Sequence, residues 1–498
     1  MQSCALLPIV ASPENLKLKS CKIWRMKWLI IISGWLCLTA CQPAPHADIR
    51  FAIAQAPLNL DPRFATDAAS ERVNRLIYTP LMDFDANGKA EAKMGILKPL
   101  SPTQYAYIIN QNRAFHHGKP FTTADVKATY DSLRTLKSSP HAAEFANIKS
   151  IQLQAENIII FELKQADSHF SEKLIIGILP ADLIAKNHDF SHNPVGSGAL
   201  KFVQWQQNLQ LQRVVDKQLI TLQEVKDPTV RVLKLKKGEV DLIQGDLPPE
   251  LVKYLQAEPN IIVKTGAGAN YSYLGLNMQD STLQHVKIRQ AIAYAIDRKA
   301  IIEKVMVQNT RVAGAILPPE HYTNANNQLA AYDYNPQLSK KLLTEAGIKL
   351  PLKLVYKTST DAFRVRLATI MQAQMREAGI DLQIKSLDWG TFFADVKAGN
   401  FQLFGLTWVG IKTPEIYAKA FGSEHFPPNG FNRGRYADAD LDKLLADENW
   451  HATTTRIHAQ LPYIPLWYEG QFAAMQKNIS NYSPKPDGNW DDLAIITK

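Results

Sequence analysis

Apolar residues recur at helical spacing in several well-bounded segments of the second half of the chain. Ile288, Ala291, Ile292, Ala295 and Ile296 fall at i, i+3, i+4, i+7 and i+8, which predicts a helix over 286–296 with one buried face. Asp297 is then placed to cap a following helix through Ile301, Ile302 and Val305. Asn335, Pro336 and Gly347 bracket QLSKKLLTEA as N-cap, first helical residue and terminating glycine, with Leu338, Leu342 and Ala346 as the predicted buried stripe. A third helix is predicted over about 363–378. It carries Ala368, Met371, Met375 and Ala378 on one face, stops at Gly379, and leads into the alternating strand Ile380, Leu382, Ile384. Methionines at this spacing fill a core.

In the first half, Thr122 and Asp125 form a Thr-x-x-Asp capping arrangement for a helix whose buried face is Val126, Tyr130 and Leu133. Segments 158–163 and 200–211 read as strands. Strands alternating with helices predict an α/β protein, and 498 residues suffice for two or three folding units.

The four cysteines, Cys4, Cys21, Cys37 and Cys41, all lie in the first 41 residues, which excludes a disulfide or thiolate chemistry in the body of the chain. Trp28 to Leu38 is an apolar run of eleven behind Lys17, Lys19, Lys22, Arg25 and Lys27. A span of the bilayer needs about 20 residues, so the run reads as a signal-peptide core. Leu38-Thr39-Ala40-Cys41 resembles a lipobox, with Cys41 as the lipidated residue; the alternative is an ordinary signal with a chance cysteine. Met26-Lys27 would begin a compact signal by itself, so residues 1–25 read as an upstream extension and 41–48 as a Pro-rich tether. Residues 1–40 carry five Lys/Arg and one Glu, which leaves +5 of the formal +9 for the rest. That charge is dispersed, without the basic runs that bind nucleic acid.

No metal-ligand spacing, nucleophile elbow or phosphate loop is present. His116 and His117 read as surface histidines, and Gly266-Ala267-Gly268 as a loop. Neither an enzyme's constellation nor a cofactor motif emerges.

Several segments in register resemble the extracellular solute-binding proteins of family 5, which serve oligopeptide, dipeptide and nickel importers. They are Asn59-Leu60-Asp61-Pro62, then Phe115 to Phe121 with Thr123-Ala124-Asp125-Val126, and Asn193-Pro194-Val195-Gly196-Ser197-Gly198. Further along come Gly238 to Asp241, Leu276-Asn277, Arg289 to Arg298, Tyr334 to Gly347 and Leu461 to Tyr468. His117 stands where the family has aspartate.

This resemblance implies an α/β, two-lobed periplasmic-binding-protein fold of type II, in the large cluster with an extra inserted domain and a hinge between lobes. The expected divisions are 49–75 and 194–270 for lobe I, 76–193 for the insert, 271–465 for lobe II and 466–498 for the return to lobe I. The hinge crossings are expected near 269–274 and 463–467. The implied function is capture of an extracytoplasmic peptide or peptide-like solute and its delivery to an ABC permease and its ATPase. The carrier would be a monomeric, membrane-anchored lipoprotein of the periplasmic space, not an enzyme, without cofactor, metal or nucleic acid. A non-peptide cargo such as a sugar or metal chelate, or a repurposed surface or sensor lipoprotein, stays open.

The resemblance puts Ala65, Thr66 and Asp67 of lobe I at the cleft, with Thr358, Thr360 and Asp361 of lobe II, and Asn432 in the family's Asn-rich stretch. Trp408, Gly410 and Ile411 occupy the segment where peptide-binding relatives carry an aspartate against the peptide ammonium, and Ile411 replaces it. Either another carboxylate serves, Asp361 or Glu415, or the cargo lacks a free amine there. The region 449–460 is shorter than in the family, which predicts a loosened second lobe.

Overall fold

The computed structural model describes residues 48–136, 138–323, 329, 332–427 and 430–498. The expectations for the apolar run, for Cys41 and for all of the tether except Asp48 lie outside them.

The described residues build an eleven-stranded mixed sheet around two long antiparallel strands, Ile261–Leu276 and Tyr463–Gln476. One end of this pair continues through Leu403–Trp408, Leu352–Ser359 and Ile380–Leu387. The other continues through Leu242–Gln244, Ile49–Ile53, Leu219–Glu224, Leu209–Arg213 and Leu200–Trp205. Each end has apolar cores on its two faces, and these are the two lobes. A separate core spanning Leu81 to Ile178 surrounds a four-stranded antiparallel sheet made of 95–101, 104–109, 158–163 and 148–155. The first lobe's core resumes at Leu179.

The paired long strands slip register between Gly266 and Asn270, opposite Glu469 to Gln471. Gly268 sits at this bulge, where a Cβ would lie 1.8 Å from the Glu469 carbonyl oxygen, so only glycine lets the backbones approach. Gly266–Gly268 is therefore part of a strand and not a loop. Tyr463–Trp467, expected as a crossing, pairs with Ser272–Gly275 on the second-lobe side, and the crossing on that strand falls at Glu469–Gln471.

Capping fixes most helices where the local sequence writes it. Asn335 accepts from the Leu338 amide and Asp297 from the Ala300 amide. Thr122 and Asp125 form a reciprocal capping box, and the other carboxylate oxygen of Asp125 accepts from Ala181 N–H at 2.7 Å. The buried stripe of Pro336–Glu345 is Ser339 and Leu343, one residue on from the predicted Leu338, while Leu342 and Ala346 pack at its flank. Ser339 donates to the Ala291 carbonyl at 2.7 Å, and its small side chain allows close packing on the Val286–Tyr294 helix.

Residues 200–211 form a hairpin, not one strand, because Gln206–Asn208 turn the chain. His116 is half-buried and bonds the Gly198 carbonyl, which the surface reading missed; exposed His117 faces Asp182 at 3.4 Å. Helix Trp450–Gln460 is short yet docked, with Thr453, Thr454 and Ile457 buried and Arg456 bridged to Asp438 at 2.7 Å.

Candidate functional site

Helix Ala68–Ile77 directs Val73, Leu76 and Ile77 into the first-lobe core, so Glu71, Asn74 and Arg75, at i, i+3 and i+4, share the opposite face. Asp67 caps this helix through the Ser70 amide, and the Ser70 hydroxyl in turn accepts from Leu58 and Asn59 N–H, fixing the helix start. Its polar face lines a cavity of about 460 Å³, within the roughly 300–1,000 Å³ of small-molecule sites. The inserted domain adds His141, Glu144 and Lys173, the second lobe adds the segment from Trp408 to Lys419 with Phe431, and the C-terminal return adds Asp487 and Asn489.

Four of the residues expected at the cleft line this cavity, namely Ala65, Trp408, Gly410 and Ile411. The Ala65 carbonyl holds His141 Nε2 at 2.9 Å. The others serve elsewhere. Asp67 and Asp361 are helix N-caps, Thr66 and Thr360 are exposed away from the cavity, and Thr358 is buried in its strand. Asn432 is fully buried, donating to the Gly422 and Tyr436 carbonyls and accepting from Tyr436 N–H. Asp, Asn and Thr at segment ends satisfy orphan backbone groups, and that need competes with ligand binding. Of the two carboxylates weighed as substitutes at position 411, Asp361 caps its helix outside the cavity lining, and Glu415 lines the cavity, 3.3 Å from Lys419.

Trp408 is held in place from behind. The Arg433 guanidinium lies 4.6 Å from its ring centroid, Tyr273 stacks at 6.4 Å and Phe431 meets it edge-on at 5.9 Å. Its indole Nε1 is buried without a partner among the described residues.

Glu71, Asn74 and Lys412 had no distinguishing mark in the sequence beyond polarity on an amphipathic helix or loop. Glu71 is solvent-exposed, but partial desolvation by the surrounding cleft pushes its carboxyl above its usual range. The Glu144 carboxylate, 3.6 Å from His141 Nδ1, raises the imidazole pKa.

The cleft mouth is bridged between lobes. Lys412 pairs with Asp487 at 2.8 Å, the Tyr322 amide donates to the Asn87 carbonyl at 2.9 Å, and Ser168 donates to Glu448 at 2.8 Å. Such an arrangement encloses a solute and supplies an aromatic wall and directed polar groups. Among the described residues no group of three His, Cys, Asp or Glu could hold a metal ion.

The sequence that builds this shared sheet and the cavity between the lobes is matched by a family model. The model of the bacterial extracellular solute-binding proteins, family 5, covers residues 101–424, well over half of the chain. The chain belongs to this family. Among curated family 5 relatives, the oligopeptide-binding protein AppA of Bacillus subtilis is 22% identical, over 90% of this chain and 91% of its own. The structure of that AppA with a nonapeptide superposes with a TM-score of 0.74, at 22% identity, over 92% of this chain and 99% of the other. NikZ of Campylobacter jejuni, in complex with Ni(L-His), gives a TM-score of 0.76 at 21% identity over 91% and 100%. The fold of this family 5 chain is thus the two-lobed α/β binding-protein fold, and family 5 members are binding proteins, not enzymes.

Proposed function

We propose that this protein is the solute-binding component of an ABC importer, and that it captures a short peptide or peptide-like solute between its lobes for a membrane permease. The observation that carries the reading is the cavity of about 460 Å³ between the lobes, walled by Trp408 on one lobe and by the Glu71–Asn74–Arg75 face on the other. Enclosure by hinge closure at the Gly266–Asn270 and Glu469–Gln471 crossing converts solute binding into a shape a permease can read. The protein performs no catalysis of its own, and ATP hydrolysis belongs to the transporter it serves. It works as a monomer outside the cytoplasm, held to a membrane by lipid on Cys41. The peptide-binding relatives support the cargo class, and the Ni(L-His) complex of a neighbour of the same fold sets the alternative.

Native mass spectrometry of a form starting at Gln42, purified without refolding, tests this. A ladder of peptide masses is the expected result; one discrete non-peptide mass would replace the cargo class. For the anchor, metabolic labelling with a fatty acid should mark the full-length protein and not its Cys41→Ser variant.

A further inference from the structure

Six carboxylates line the cavity, and five are already matched by protein groups. Asp83 holds Arg75 at 2.8 Å and Asp487 holds Lys412 at 2.8 Å. Glu415 faces Lys419 at 3.3 Å, Glu144 faces His141 at 3.6 Å, and Glu172 meets His169 at 3.1 Å and the Tyr322 hydroxyl at 3.0 Å. The cations along the cavity are matched as well, since Lys173, the one not yet named, binds Asp167 at 2.6 Å. Glu71 alone among these described groups has neither a side-chain hydrogen bond nor an ion pair. The charge the cavity leaves open is therefore negative.

A second observation is independent of charge. Asn74, one helical turn on from Glu71, is 7% exposed, and neither its Oδ1 nor its Nδ2 has a hydrogen-bond partner. Buried amide groups without partners are unfavourable, so a pair of them in a cavity wall marks where a ligand's polar atoms belong. Across the cleft the Trp408 indole N–H is likewise unpartnered. One open acceptor charge, one open amide and one open donor line the same cavity, while position 411 offers only an aliphatic side chain.

We propose that the cargo carries an ammonium group, and that Glu71 of the first lobe binds it in place of a carboxylate at position 411. Asn74 Oδ1 accepts a second ammonium hydrogen and Nδ2 donates to the adjacent carbonyl; Trp408 Nε1 donates to a further carbonyl or carboxylate oxygen. For a peptide this anchors the N-terminus on the first lobe. The inference rests on the peptide-carrier reading and narrows it: of the two explanations for Ile411, a different carboxylate serves. Glu71 keeps contact with solvent in the cleft, yet the protein around it partly desolvates its carboxyl and disfavours the charged form, an effect that an incoming ammonium offsets.

Calorimetric titration with trialanine and with N-acetyl-trialanine at neutral pH tests this, on the natural protein and on Glu71→Gln, with thermal melts verifying that the variant is folded. The natural protein is expected to prefer the free amine by tenfold or more, and Glu71→Gln to erase that preference. Asn74→Leu should weaken both peptides. If the natural protein binds the two equally, or if Glu71→Gln keeps the preference, the ammonium site is wrong and the peptide-carrier reading survives. If neither peptide binds, that reading falls and takes this inference with it.

Discussion

Lys412 of the second lobe places its ammonium 2.8 Å from the Asp487 carboxylate of the first, two residues 75 positions apart in sequence and joined across the cleft mouth. Burial pushes the Asp487 pKa upward, but the charge and hydrogen bond of Lys412 outweigh it and hold the carboxyl below its usual range. The pair exists only while the lobes are together, so it stabilises the closed form selectively.

Lys412→Ala should therefore shift the population toward the open form. It leaves Asp487 without its partner, and solute affinity should fall by about three- to tenfold, mainly through faster release. Stopped-flow dissociation together with the radius of gyration from X-ray scattering checks this; an unchanged release rate would show that the pair does not control closure.

At the lobe crossing, Gly268→Ala puts a methyl group 1.8 Å from the Glu469 carbonyl oxygen. The strands must part, at a cost of about 1–3 kcal/mol by analogy with overpacked cores. Glu469 also collects Ser272, Thr407 and Arg364 at 2.6, 3.1 and 3.2 Å, so its displacement disturbs both strands and the Ala362–Glu377 helix. The thermal midpoint should drop by several degrees, and a midpoint equal to that of the natural protein would contradict the close approach.

Asp125 accepts from the Thr122 amide at 2.7 Å, the Thr122 hydroxyl at 2.7 Å and the Ala181 amide at 2.7 Å. Asp125→Ala removes all three and should cost about 2–3 kcal/mol, against about 1 kcal/mol for Thr122→Ala. Urea denaturation of the two variants gives the ordering, and equal losses would mean that the tie to Ala181 adds nothing.

Asp438 caps helix Ala439–Ala446 and bridges to Arg456. Burial acts to raise its pKa, and the Arg456 and Tyr436 hydrogen bonds more than reverse that, lowering it to about 2. The folded-state value lies below the unfolded one, so the stabilisation is complete above about pH 4 and is lost as pH falls toward 2, amounting to about 1–2 kcal/mol. Thermal melts from pH 2 to 6 should show Asp438→Asn, which keeps a capping side chain, less stable than the natural protein near pH 6 and converging with it near pH 2. A constant difference across that range would refute the assignment.

The elements that were legible in the sequence are those whose causes are local. The capping residues Thr122, Asp297 and Asn335 act within four positions, and the face of Ala368, Met371, Met375 and Ala378 follows from one helical period. The family motifs read the same way: Asp125 is a cap, and Gly198 donates its N–H to the Ile77 carbonyl where a Cβ would collide with Leu76 oxygen. Trp408, Gly410 and Ile411, which the resemblance picks out in one contiguous segment, line the cavity together.

The family resemblance points to cleft residues by position, and there one residue type can serve two ends. Asp67, Asp361 and Asn432 are the residues a cleft needs and also the residues helix starts and turns need, and in this chain the backbone takes them. Pattern also misplaced the buried stripe of the Pro336–Glu345 helix, because what Ser339 meets is set by Ala291 on another helix.

The strongly periodic helices and the caps at Thr122, Asp297 and Asn335 are written in the sequence, since they follow from periodicity and from hydrogen bonds spanning a few residues, and the two-lobed α/β class follows from the motifs in register. Tertiary structure alone decided which charges in the cleft are satisfied. Arg75 finds Asp491 and Lys412 finds Asp487 across long stretches of chain, and only after such pairs are made does Glu71 emerge as the carboxylate left open. Electrostatic matching acts through space, so its outcome is fixed by the fold that brings distant residues together.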